Sequence, residues 1–285
     1  MGTTADTITF YKAQGSGNDF VILVLGEDIE VDISQMPRWA RRICKRRFSV
    51  GADGLIFIEP LEEKHGAAYR WHFYNSDGSR AQMCGNGARC VARLANKLGI
   101  ASSSHYFLTD VGPIYAEVYP EEGKVKVQLT PPKDLRTHLE VPLGPGEKYE
   151  AHFVNTGVPH LVIFVEGDLE EVDVNGVGGR LRFHEMFAPE GTNVNFAKKT
   201  PENHLIIRTY ERGVEEETYA CGTGAAACAY VAKKIGYIDS SSIPVITSGG
   251  EQLLLSLEKN GLYLSGRVRI IYEGKLDLKE IGLIQ

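Results

Sequence analysis

A ten-residue stretch that recurs once constrains this chain more than any other feature. Met83-Cys84-Gly85-Asn86-Gly87-Ala88-Arg89-Cys90-Val91-Ala92 is echoed in outline by Ala220-Cys221-Gly222-Thr223-Gly224-Ala225-Ala226-Ala227-Cys228-Ala229. Each copy reads as a Cys-Gly-x-Gly turn that opens a helix. Each helix meets a glycine stop signal at the same distance from its cysteine, Gly99 and Gly236. A thiol beside the amino end of a helix is an acidified thiol, because unpaired N–H groups and the positive end of the macrodipole favour the thiolate. The same N–H groups can hold a carboxylate. Two such sites predict a single substrate held between two helix ends, with one sulfur on either side.

Other landmarks keep nearly the same offset. Gly17 and Gly157, Gly51 and Gly191, Tyr74 and Tyr210, and Cys84 and Cys221 recur in order, 136 to 140 positions apart. Four ordered coincidences make an internal duplication the economical reading, and the period is far too long for a solenoid. At 285 residues, 43% apolar and 24% charged, the chain has room for two ordinary globular domains.

The first half reads as strands at residues 7–11 and 20–25 around a loop at 14–19, then a basic helix at 36–47. A turn at Gly51-Ala52-Asp53-Gly54 leads to strands at 55–58 and 70–74. The first cysteine helix follows, then strands at 105–108, 114–119 and 125–129. Thr130-Pro131-Pro132 cannot continue a sheet, and the domain junction is placed there. The second half repeats the order, with strands at 151–154, 161–165 and 205–210 and a helix-like 182–187. The second cysteine helix and strands at 244–247, 252–257 and 262–272 complete it. Residues 225–235 are apolar on nearly every face until Lys233-Lys234, so that helix should be buried all round, inside a curved sheet. The expected fold is α+β: two pseudo-symmetric domains, each a curved mixed or antiparallel sheet wrapped around a central helix.

Net charge is −6 with no block of Lys or Arg, which argues against nucleic acid or an anionic membrane as the main partner. Residues 1–9 lack the apolar segment of a signal peptide, and no run approaches 18 apolar residues. Five cysteines, an odd number, argue against a disulfide framework and for a reducing cytoplasm. Cys44, Cys90 and Cys228 read as small buried hydrophobes. The cysteine spacings do not match a zinc knuckle or a redox Cys-x-x-Cys, so no metal is expected. Gly85-Asn86-Gly87 lacks the dinucleotide fingerprint and a Walker lysine, which favours a carboxylate over a phosphate ligand. His160, Glu211-Arg212 and the turn residues Asn18, Asn75 and Asn193 would each pass, taken alone, as structural or solvated.

At these residues the sequence resembles the diaminopimelate epimerases, over nearly the whole chain from Gly15-Ser16-Gly17-Asn18-Asp19-Phe20 onward. The most specific matches are Asn75-x-Asp77-Gly78-Ser79 with the Cys84 motif, and Tyr210-Glu211-Arg212-Gly213 with the Cys221 motif. Proline racemases and hydroxyproline epimerases look like relatives, but their first cysteine is typically followed by Gly-His, where this chain has Gly85-Asn86. The resemblance implies inversion of one α-carbon of LL-diaminopimelate to the meso form, in lysine and peptidoglycan-precursor biosynthesis, with neither cofactor nor metal. It implies Cys84 and Cys221 as the acid/base pair, aided by His160 and Glu211, with His160 assigned to Cys84 and Glu211 to Cys221. Asn18, Asn75, Gly85, Asn86, Asn193, Glu211, Arg212, Gly222 and Thr223 carry over as substrate contacts. Many members have Gly-Asn-Pro-His and Asp-Gln where this chain has Gly157-Val158-Pro159-His160 and Asp53-Gly54. The expected domains are 1–130, with 268–285 returning to it, and 131–267, with the site in the cleft between halves. A cytoplasmic homodimer is implied by the resemblance.

Overall fold

The computed structural model describes residues 6–26, 29–62 and 66–284. Its chain divides into two units, Met1–Val127 with Gly266–Gln285, and Gln128–Ser265. In the first, β1 (Thr7–Gly15) and β2 (Asn18–Val24) form a hairpin. Only Ser16 and Gly17 lie between them, both left-handed at φ 60° and 80°. That is the two-residue turn whose twist matches antiparallel strands. The loop expected at 14–19 is therefore mostly strand. Helix α1 (Met36–Ile43) follows, with a proline in its first turn. It ends four residues short of the expected 47 and buries Met36, Trp39, Ala40 and Ile43 against Phe57 and Tyr74.

β3 (Gly54–Pro60) runs parallel to β2, and β4 (Tyr69–Asn75) antiparallel to β3. Then come α2 (Gly85–Lys97), β5 (Ser104–Thr109), β6 (Gly112–Tyr119) and β7 (Lys124–Gln128). The chain's last strand, Arg269–Asp277, pairs antiparallel with β1. Helix α2 packs on β1, β2, β3 and β6 and buries nearly all its residues, including Arg89.

The second unit opens with β8 (Lys133–Gly144), which the sequence does not announce. It is polar, mostly exposed, and interrupted by left-handed Asp134 and His138 at φ 57° and 54°. Its register against β9 (Glu147–Asn155) shifts at both places, as β-bulges do. β10 (Pro159–Phe164) pairs antiparallel with β9.

The helix expected at 182–187 lies earlier, as α3 (Val174–Arg182), and Glu185–Phe187 is only a 3-10 turn. Three glycines disguise α3, yet the Asp173 side chain caps Gly176 N–H. A Cβ at Gly178 would stand 2.7 Å from Tyr210 Cβ, so this helix needs glycine to pack. β11 (Asn193–Lys199), another strand missing from the sequence reading, lies parallel to β10, and β12 (Leu205–Glu211) antiparallel to β11. β13 (Glu216–Thr218), α4 (Gly222–Lys234), β14 (Ser242–Ile246), β15 (Gln252–Glu258) and β16 (Gly261–Arg267) follow. The single strand expected at 262–272 is two, β16 and the last strand, β17.

The pairing plan is the same in both units: antiparallel hairpin, helix, parallel strand, antiparallel strand, cysteine helix. Left-handed Gly51 and Gly191, φ 75° and 66°, turn the chain toward β3 and β11 respectively. Helix α4 touches β9, β10, β11, β12, β14 and β15, and its alanine-rich body is buried, as a helix without a polar face must be.

Both cysteine helices end alike. Gly99 N–H reaches Asn96 O and Ile100 N–H reaches Ala95 O, while Gly236 N–H reaches Lys233 O and Tyr237 N–H reaches Ala232 O. Gly99 and Gly236 are left-handed at 73° and 75°, completing a Schellman stop in each.

Candidate active site

Cys84 is the N-cap of α2, in extended conformation, and its Sγ accepts a hydrogen bond from Gly87 N–H at 3.5 Å. On its other side Sγ lies 3.6 Å from Asn18 Oδ1, to which it donates. Asn18 is oriented by donating its amide to Asp53 Oδ2 at 2.7 Å, which leaves the carbonyl for Cys84 and for Asn86 Nδ2 at 3.4 Å. Asp53 and Asp19 share Arg46, and Lys12 pairs with Asp19 at 2.6 Å. Partial burial pushes the Asp19 carboxyl up, but Lys12 and Arg46 outweigh it and hold it below its ordinary range.

Arg89 is fully buried and donates to Asn86 Oδ1 at 2.6 Å and Ser16 Oγ at 2.9 Å. It therefore ties the first turn of α2 to the β1–β2 turn that immediately precedes Asn18. Gly85 supplies a carbonyl to the same guanidinium, at 3.3 Å from Nε. Asn75 is exposed and bonds within its own turn, its amide donating to Ser79 Oγ at 3.0 Å. Gly54 is explained by space. A Cβ there would stand 2.6 Å from the Phe73 ring and 3.0 Å from Tyr74 O, so the longer side chain common in the resembling family does not fit this backbone unshifted.

In the second unit Cys221 is the N-cap of α4, buried, with Sγ 3.5 Å from Thr223 Oγ1. Gly222 is buried at the first helical position. Thr156, in the β9–β10 turn, donates to Thr223 O at 2.9 Å and ties that turn to the helix start. Asn193, at the head of β11, donates to Pro159 O and accepts from Arg212 N–H, both at 2.8 Å. Its amide thus staples the strand leading to His160 to the one leading to Arg212. Arg212 itself is half-buried and donates to Glu190 O at 3.3 Å. Glu211 Oε2 accepts from Thr218 Oγ1 at 2.8 Å.

His160 is fully buried, and burial, with Arg212's positive charge nearby, pushes its imidazolium down to about 3. Both effects favour the neutral ring. Its Nδ1 faces Asn195 Nδ2 at 3.2 Å. Asn195 carries no turn signal and sits in a strand that the sequence reading missed. Arg89 passed there as one residue of a motif.

All five cysteines are thiols, with no disulfide among the described residues. The group with metal-ligating atoms drawn together is His138, Glu150 and His152 on the β8–β9 hairpin, within 4.8 Å of one another. His152 Nδ1 already accepts His138 N–H at 3.2 Å, and His138 Nδ1 meets Glu150 Oε1 at 2.7 Å. The arrangement works as a polar clasp across the bulged strand.

A family model described as diaminopimelate epimerase matches residues 10–135 and 152–271. The diaminopimelate epimerase of Hydrogenobaculum sp. (strain Y04AAS1) is 45% identical over 271 residues, covering 93% of this chain and 97% of that protein. That of Aquifex aeolicus is 45% identical over 275 residues, covering 94% and 97%. Among solved structures, a hydroxyproline epimerase from Agrobacterium vitis superposes with TM-score 0.69 at 12% identity, covering 97% of this chain and 94% of its own. A PhzF-family phenazine biosynthesis protein from Bacillus anthracis gives 0.71 at 14%, covering 95% and 99%. At such identities the structural likeness speaks to the fold alone.

Proposed function

We infer the function from one premise: this chain belongs to the diaminopimelate epimerase family. It is an isomerase that acts on an amino acid, interconverting LL- and meso-diaminopimelate. The roles of its residues are our reading. Cys84 and Cys221 are the two acid/base groups, one from each unit. One thiolate takes the α-proton, the electron pair stays on the α-carbon and spreads into the carboxylate, and the other thiol delivers a proton to the opposite face. No net oxidation occurs, and the two sulfurs exchange protonation states in each turnover. A single base would return the proton to the face it left.

What supports this is the position of both cysteines as N-caps of buried helices built on one repeated plan. The Gly87 N–H at Cys84 strengthens as that sulfur becomes anionic. The α-proton is a very weak acid, so fixed dipoles must meet the developing carboxylate charge. The first turns at Gly85-Asn86 and Gly222-Thr223 supply N–H groups for it. Asn18 and Asn86 form a preset polar pair beside Cys84. Asn75 joins them as a substrate contact, and Arg212 clamps the distal carboxylate. Glu211 supports Cys221, and His160 supports an anionic sulfur. Asn193 contributes by holding Arg212 and the His160 strand in place. The chemistry so assigned needs no cofactor.

We place the reaction in lysine and peptidoglycan-precursor biosynthesis, in the cytoplasm. The enzyme is a homodimer, which sedimentation at about twice the 31.4 kDa chain mass would report. Among the described residues no helix is long and apolar enough to cross a membrane. The test is overall epimerisation by Cys84→Ser and Cys221→Ser. Each is expected to lose about 10² or more in rate, and full activity in either variant contradicts the two-thiol assignment.

A further inference from the structure

His160, Asn195 and Thr209 lie on the adjacent strands β10, β11 and β12, all essentially buried. The register sets Asn195 opposite Thr209 and beside Val162, close to His160. The orientation of the Asn195 amide follows from its partners. Nδ2 lies 2.9 Å from Leu161 O, a backbone carbonyl that can only accept. Oδ1 accepts from Thr209 Oγ1 at 3.0 Å. The group facing His160 Nδ1 at 3.2 Å is therefore an amide N–H, which can only donate. Nδ1 must accept, and a neutral ring then carries its proton on Nε2. Nε2 is itself buried and meets no hydrogen-bond partner among the described residues.

Space at the cysteine helix agrees. A Cβ at Gly224, in the first turn of α4, would stand 2.3 Å from Asn195 Oδ1 and 3.3 Å from Cys221 Sγ. Glycine at 224 leaves the room that this orientation of Asn195 needs.

We propose that Asn195 is a positioning residue that locks His160 in the Nε2–H tautomer, so that His160 serves the reaction as a hydrogen-bond donor to an anion. The proposal rests on the epimerase reading for its consequence and deepens it. An Nε2–H ring stabilises a thiolate or carboxylate by donation and does not take up its proton. Asn195 acts through His160 and need not touch substrate. A ring held in the wrong tautomer keeps its place and loses its function.

The test is nitrogen NMR of protein labelled at histidine, without substrate, with the His160 signals assigned by their loss in His160→Gln. The wild type is expected to show a pyridine-type Nδ1 and a pyrrole-type Nε2 across neutral pH. Asn195→Asp keeps the size but offers an acceptor, so the protonated nitrogen should become Nδ1. Turnover of diaminopimelate should fall by about 10² or more, with KM changed far less. If the aspartate variant fails to fold, Asn195→Ala removes the donor facing Nδ1 and should mix the two tautomers. A wild-type ring protonated on Nδ1, or a tautomer indifferent to both substitutions, overturns the proposal. The tautomer is read without turnover, so absence of epimerase activity in the wild type would defeat the function and leave this measurement standing.

Discussion

The buried side chains of Arg89 and Asn195 are held by partners that leave them little choice, and His160 beside Asn195 shows the energetic side of burial. Its unfolded ring titrates near the ordinary 6.5 and its folded ring near about 3. Above 6.5 neither state binds the proton, so the ring adds no pH dependence. As pH falls from 6.5 toward 3 only the unfolded chain takes the proton, and stability declines by at most about 1.4 kcal/mol per pH unit from this group. His160→Gln is expected to flatten the loss of unfolding free energy between pH 6.5 and 5, measured by urea titration beside the wild type. An unchanged slope would mean that the ring is not held neutral. At this scale the two cysteines were legible, because glycine marks both ends of their helices. Asn195 and Arg89 were not. An asparagine inside a strand gives no periodic signal, and an arginine reads as a solvated cation until Ser16 and Asn86 are seen to fold around it.

Helices α2 and α4 begin and end by different physics, and glycine substitutions separate the two. At Gly99 and Gly236 an added Cβ meets nothing within 4 Å, so the cost is the left-handed backbone alone. Ala at either position is expected to lower stability by about 1 kcal/mol and leave turnover intact. At Gly224 an added Cβ runs into Asn195 Oδ1, so Gly224→Ala should cost turnover far more than Gly236→Ala does. Equal effects of the two on turnover would contradict the tight packing at the α4 start. The cysteine helices were legible in the sequence because start, stop and apolar body all agreed. Strand β8 was not, since its exposed polar residues and two left-handed bulges erase the alternation that marks a strand. Helix α3 was not, since Gly176, Gly178 and Gly179 lower helix propensity where packing on Tyr210 requires them.

In the whole molecule the duplication organises everything else. The same pairing plan in both units puts one N-cap cysteine in each, and inversion by two one-sided groups takes a proton acceptor on one face of the carbon and a donor on the other. That plan was readable from ordered landmarks alone, because turns that demand glycine recur at fixed offsets whatever the intervening side chains do. The most direct test is the hydrogen at the inverted α-carbon when LL-diaminopimelate is converted in heavy water and stopped at low turnover. The account predicts deuterium at that carbon in the meso product and ordinary hydrogen in the recovered LL substrate. Product that retains the substrate's own hydrogen would show one base working on both faces and would contradict the account.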